Sequence, residues 1–173
     1  WKVTNPDRDP LRYRLAYRQE GQPVWREMFG EERVLNDTKY TWDTGSVPDG
    51  YYIVRVEASD EEANPDASML RSTALSEPIR VDNHPPRFEQ LSVRKGQVRG
   101  RVVDSLGPIA RIQMAVDGGP WRDLFAVDGL LDNADERFEA ALGGLRGGSH
   151  IVAVRVFDAA GNQANREITV KTK

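Results

Sequence analysis

The sequence predicts an all-β chain folded as two antiparallel Greek-key β-sandwich domains in tandem. Three observations carry that expectation. Gly50 to Asp60 and Gly148 to Asp158 are near copies: each opens on a glycine, alternates on a two-residue period and closes on an aspartate. Alternation over that length marks a strand with one face on a core, and its duplication implies a duplicated domain. Secondly, Gly118-Gly119-Pro120-Trp121-Arg122 repeats the turn and arm at Gly21-Gln22-Pro23-Val24-Trp25-Arg26, one residue shorter before the tryptophan. Thirdly, no stretch longer than a turn or two shows a helical period.

Taken in order, Trp1 to Thr4 alternates briefly and stops at a loop with two prolines, Pro6 and Pro10. Leu11 to Arg18 is a strand with Leu11, Tyr13, Leu15 and Tyr17 on one face. Gly21 to Pro23 turns the chain into an arm from Val24 to Phe29 that carries Trp25. Gly30 to Asp37 is a polar connection, and Lys39 to Asp43, with Trp42, is rich in β-formers. Val47-Pro48-Asp49-Gly50 turns into the first copy of the repeated strand, whose apolar face is Tyr52, Val54, Val56 and Ala58. After an acidic loop from Glu61 to Ser68, Ala74 to Val81 is a strand interrupted by Pro78, as suits an edge or a bulge.

Residues 82–86, Asp82-Asn83-His84-Pro85-Pro86, divide the chain. Their prolines remove backbone donors and make a short, semi-rigid hinge. The domains are therefore expected at 1–81 and 87–173. In the second, Phe88 to Val93 and Val98 to Val103 flank a turn at Lys95-Gly96, and Ile109 to Val116 follows. After the Trp121 arm come an acidic loop from Val127 to Glu136 and a strand from Phe138 to Leu142. A glycine-rich turn leads into the second copy, with His150, Val152, Val154 and Val156 in the same register, and Gln163 to Lys171 finishes the sheet. At one constant offset Asn5 aligns with Asp104 and Tyr13 with Ile112. Trp1 then falls opposite Gly100, so the first domain has no counterpart of the strand at Phe88 to Val93. That strand is expected to be absent or supplied by a longer polypeptide, of which a chain starting at Trp1 would be a piece.

Bulk properties exclude several functions. A net charge of −3 gives no case for nucleic acid, which requires clustered positive charge. The arginines alternate with apolar residues, as in Arg12-Tyr13-Arg14-Leu15, and read as a solvated sheet face. Absence of cysteine removes disulfides, thiolate metal sites and thiol nucleophiles. No apolar run approaches the roughly 20 residues of a membrane span, so no insertion is expected. The two histidines, His84 and His150, fall in different segments, and no nucleophile-elbow or zinc spacing accompanies either. No catalytic residue and no enzyme activity is expected.

Trp1, Tyr13, Trp42, the Asp49-Gly50 turn and the run Tyr52-Ile53-Val54-Arg55-Val56-Glu57-Ala58 together resemble a fibronectin type III domain. The resemblance makes Tyr52 the tyrosine-corner residue, whose hydroxyl bonds back to the preceding turn. More narrowly, the first domain is similar to modules that follow β-propellers in bacterial surface and sensor proteins. The second, from Pro86, resembles a bacterial immunoglobulin-like module through the phrase Val154 to Asn162, with His150 where the tyrosine belongs. These resemblances imply a spacer or interaction module of a larger bacterial exported protein, extracytoplasmic, whose partners are neighbouring domains such as a β-propeller. The alternative is a module binding glycan or protein, with Trp25, Trp42 and Trp121 as a candidate platform.

The hinge is also similar to the Asp-Asn-x-Pro segment between cadherin domains, which implies calcium. Asp82 and Asn83 are the candidate ligands there, but calcium needs six to eight oxygens, with the loop from Glu31 to Asp37 as a further donor. The other acidic stretch, with Asp128, Asp132 and Asp135, lacks the alternate-position spacing of an EF-hand loop and reads as a solvated loop with Asx turns. No cofactor is expected, calcium being the candidate to exclude. Leu130 and Leu131, adjacent in that loop, must cap a core or meet a partner.

Overall fold

The computed structural model describes residues 1–30, 35–64 and 68–172. Residues 31–34, 65–67 and 173 lie outside them, and with them parts of the loops expected at Gly30 to Asp37 and Glu61 to Ser68. The fold is all-β. The chain divides into two compact units, Trp1–Val81 and Asp82–Lys173.

Among the described residues the first unit holds one antiparallel sheet of five strands, β1 (Arg12–Gln19), β2 (Arg26–Glu27), β3 (Gly50–Ser59), β4 (Arg71–Leu75) and β5 (Ile79–Val81). Its order is β2-β1-β3-β4, with β5 also on β3. β3 thus pairs from Tyr52 to Ser59 with the full length of β1 and in two pieces with β4 and β5, the break falling at Pro78, which has no N–H to give a ladder. Tyr13, Leu15, Ala16, Val47, Tyr52 and Val81 are its buried apolar residues. Tyr52 donates from Oη to the Pro48 carbonyl at 2.7 Å, making the corner bond the resemblance implied. Two expected strands do not form: Trp1 to Thr4 and Lys39 to Asp43 are irregular. The Trp1 amino group donates to the carbonyl of Thr38, just before the second segment, and a single bond does not make a ladder. Propensity supplied apolar alternation there but no neighbouring strand to pair with.

The second unit is a two-sheet sandwich. β6 (Arg87–Arg94), β7 (Gln97–Val103) and β10 (Asp135–Ala141) make a sheet of order β10-β7-β6. β8 (Ile109–Val116), β9 (Arg122–Leu124), β11 (Gly148–Asp158) and β12 (Gln163–Thr172) make the other, of order β12-β11-β8-β9. Lys95 and Gly96 both have positive φ, 51° and 73°, the two-residue hairpin that matches strand twist. Val98, Val102 and Phe138 from one sheet pack with Ile112, Met114, Val152, Val154 and Val156 from the other. The three valines of β11 are 0% exposed, whereas Val54 and Val56, their counterparts in β3, are only half-buried.

The acidic loop is shorter than expected. β10 begins at Asp135, and Glu136 is buried with its Oε1 accepting from the N–H groups of Asp132 and Asn133. A carboxylate that closes a turn belongs to the strand's start, not to a solvated loop. Leu131 caps the core, and Leu130 stands exposed.

Candidate functional site

Side-chain alternation explains the main polar cluster. In β7 the core-facing row Val98, Gly100, Val102 continues one step to Asp104; in β11 the row Val152, Val154, Val156 continues to Asp158. Each row runs out of apolar residues at the same end of the sandwich, so the two carboxylates meet there, and Asp82 enters from the start of the unit. One carboxylate oxygen from each of Asp82, Asp104 and Asp158 lies within 4.8 Å of the others.

Asp104 and Asp158 are already engaged by turns. Asp104 Oδ1 accepts from the N–H groups of Leu106 and Gly107 at 2.9 and 2.8 Å. Asp158, 2% exposed, accepts on Oδ1 from Ala160 and Asn162 N–H and on Oδ2 from the Asn162 side-chain amide. That amide also donates to the Asp82 carbonyl at 2.9 Å. The first unit repeats the clasp: Asp60 Oδ2 accepts from the Asn64 amide, again four residues on, and its Oδ1 accepts from Leu70 N–H at 2.7 Å. Buried carboxylates that accept several N–H groups hold a turn closed.

The calcium candidates are therefore distributed differently from the sequence expectation. Asp82 does join a carboxylate cluster, but with Asp104 and Asp158 rather than Asn83. Asp135 is bound bidentately by Arg101, at 2.8 and 2.5 Å, and its pKa is lowered by that guanidinium. Asp128 caps the turn at Leu130, and Asp132 accepts from the Asn133 amide. Each sits in its own contact, and none of these three belongs to the carboxylate group at Asp104. Asp104 and Asp158 were not singled out from the sequence, although the aspartate closing both repeated strands was the signal for one of them.

The three tryptophans of the expected platform stand in separate surroundings. Trp42 is half-buried, its ring 4.7 Å from Tyr17 and 6.1 Å from Tyr52, inside the first unit's core. Trp25 carries two guanidinium groups on its ring, Arg18 at 4.7 Å and Arg55 at 4.8 Å. Trp121 is stacked by Arg155 at 4.2 Å, which Gln113 holds by a 2.8 Å bond. Arginine stacked on indole is a cation–π contact that occupies one ring face per guanidinium.

A cavity of about 590 Å³ on the first unit is lined by Arg14, Glu27, Arg55, Glu57 and Arg71. Its charges cross-link: Arg55 to Glu27 at 3.2 Å, Arg71 to Glu57 at 3.9 Å and Arg14 to Glu61 at 3.5 Å. Guanidinium groups held by carboxylates offer little to an anionic ligand.

Neither a family model nor a curated protein matches the chain. Among solved structures it is similar to the fibronectin(III)-like modules of CbhA from Clostridium thermocellum, at 15% identity and a TM-score of 0.40. That match covers 99% of this chain and 82% of the other. At such a score the likeness carries no argument, and the fold rests on the sheets described above.

Proposed function

We propose that the chain is a non-catalytic structural spacer or protein-interaction module of a larger bacterial exported or surface protein. The observation that carries this reading is the second unit's closed core, in which β11 buries three consecutive inward valines against the facing sheet. Such a packed sandwich resists shear and transmits position. The cross-linked charges on the sheet surfaces support the same reading, since the shifted Arg101, Asp135, Asp117 and His150 are explained by pairing and the shifted Tyr13 and Tyr52 by burial in the core. The bacterial, extracytoplasmic context and a neighbouring β-propeller as partner are supported by the sequence resemblances alone.

Pulling the chain by its ends tests the spacer role. The second unit is expected to yield in one event, releasing on the order of 300 Å for its roughly ninety residues at about 3.3–3.6 Å each. Gradual extension with no discrete event would overturn the reading.

A second reading, a ligand-binding module, is favoured by Phe125, Val127 and Leu130, which are 69%, 71% and 64% exposed after β9. Exposed apolar residues grouped along one stretch mark contact surfaces. If they bind, a glycan or peptide array should register a ligand that the double variant Phe125→Ser, Val127→Ser loses while its melting curve is unchanged. An array with no signal, or one indifferent to the variant, removes this reading.

A further inference from the structure

His150 stands at the position of β11 that Tyr52 holds in β3. Tyr52 bonds to the carbonyl four residues back, Pro48, at 2.7 Å. His150 Nε2 lies 2.8 Å from the carbonyl four residues back, Arg146. The histidine thus reproduces the corner with a ring nitrogen in place of a hydroxyl. It also has a second nitrogen, and Nδ1 lies 2.6 Å from Asp117 Oδ2.

Both neighbours are acceptors. A neutral imidazole carries one N–H and cannot donate to both, whereas the imidazolium donates from each nitrogen. Asp117 is not free to turn away: its Oδ1 accepts from Ile151 N–H at 2.8 Å, and its own N–H donates to the Ile151 carbonyl at 2.9 Å. It sits in the β8–β9 turn with φ of 51°. The Arg146 carbonyl accepts in addition from Thr172 Oγ1 at the end of β12. The histidine side chain is 14% exposed and that of Asp117 48%.

Among the groups facing the ring, Asp117 brings the charge from the β8–β9 turn, and β12 brings Val170 opposite His150. Lys171 lies opposite Ser149, on the other side of the sheet. The loop before the strand brings the Arg146 carbonyl.

We infer that this corner is a proton-operated latch: the imidazolium ties the loop from Gly143 to Gly148 to the β8–β9 turn, and loss of its proton unties it. The carboxylate of Asp117 retains the last proton on Nδ1. Nε2 then faces the Arg146 carbonyl lone pair to lone pair, and the glycine-rich loop keeps only its other anchors, Leu145 against the core and Thr172 Oγ1 on that carbonyl. Solutions below and above the titration of His150 therefore give one sandwich with two different degrees of order at this end.

The shifts support the direction. His150 is raised above 6.5, first by its bond to Asp117 and then by the Arg146 carbonyl. Asp117 is lowered below 3.8, first by His150 and then by Ile151 N–H. For the raised histidine, the stabilisation is complete below 6.5 and disappears as pH rises through the folded value. For the lowered aspartate, it is complete above 3.8 and disappears as pH falls through the folded value. The latch is thus closed in mildly acid solution and opens on the alkaline side.

The test uses the whole chain, with imidazole titration by NMR and amide protection factors from Gly143 to Ser149 across the neutral range. The chain has two histidines, so His150→Tyr assigns the signal. In the native protein His150 should titrate above 6.5, and protection of the loop should fall about tenfold per unit of displaced titration. In His150→Tyr the phenol donates to Arg146 as Tyr52 does to Pro48 and does not ionise until about pH 10, so protection should be flat. Asp117→Asn should lower the titration midpoint and move the loss of protection with it. Equal pH dependence in native protein and His150→Tyr would overturn the latch, as would a native midpoint at or below the ordinary value. If His150→Tyr does not fold, the Asp117→Asn shift decides alone.

Discussion

Replacing Gly100 with alanine is expected to destabilise the second unit by about 1–3 kcal/mol, the usual cost of overfilling a core. A methyl group there would lie 2.2 Å from Phe138 Cζ and 2.4 Å from Cε1. Gly100 pairs directly with Phe138 across β7 and β10 and with Leu91 across β6. The ring therefore lies over the glycine and covers backbone that has no side chain of its own. The reason for glycine is space, not an unusual dihedral angle. Phe138→Ala should cost more, about 3–5 kcal/mol, because a buried ring leaves a cavity. The double variant is the informative one: with the ring gone the methyl has room, so the two effects should fall short of their sum by about 0.5–3 kcal/mol. Denaturant unfolding of the four proteins measures this. Additivity would show that the methyl is accommodated by some other movement.

The second large effect is expected at Asp158. Alanine there strands the N–H groups of Ala160 and Asn162 and the Asn162 amide in a buried turn, at about 1–3 kcal/mol for each donor left without an acceptor. Asparagine should cost less than alanine. It keeps one oxygen for the two backbone groups and removes a negative charge from the neighbourhood of Asp82 and Asp104, losing only the bond from the Asn162 amide, toward which its own NH2 is a second donor. Thermal melts of Asp158→Ala and Asp158→Asn compare the two. Run in millimolar calcium and in chelator, the same melts test the cluster as a metal centre. Because Asp104 and Asp158 already serve turn donors, calcium is expected to leave the native midpoint unchanged. A calcium-dependent rise lost in Asp158→Asn would reverse that reading.

Much of this fold was legible because alternation is a local property. β8 and β11 fall on the residues their periodicity marked, and β4 and β5 part at Pro78 as a missing donor requires. What failed was long-range. Trp1 to Thr4 and Lys39 to Asp43 have strand composition but no ladder, since pairing depends on a neighbour that a local pattern does not reveal. The carboxylate cluster was hidden for the same reason: Asp104 and Asp158 are far apart in sequence and meet only because two core rows end at one level. His150 was visible as a departure from the tyrosine pattern. Its second partner, Asp117, was not, being thirty-three residues away across a turn.

The half-covered sheet of the first unit has a thermodynamic consequence. Its buried apolar residues are few beside the continuous cluster of the second, so heat or denaturant should empty the first basin before the second. An intermediate ordered from Asp82 onward then accumulates between them, and an all-or-none equilibrium does not describe the chain. A calorimetric enthalpy larger than the van't Hoff value is the corresponding signature. Any single free energy of unfolding assigned to this polypeptide averages over two separate cooperative units.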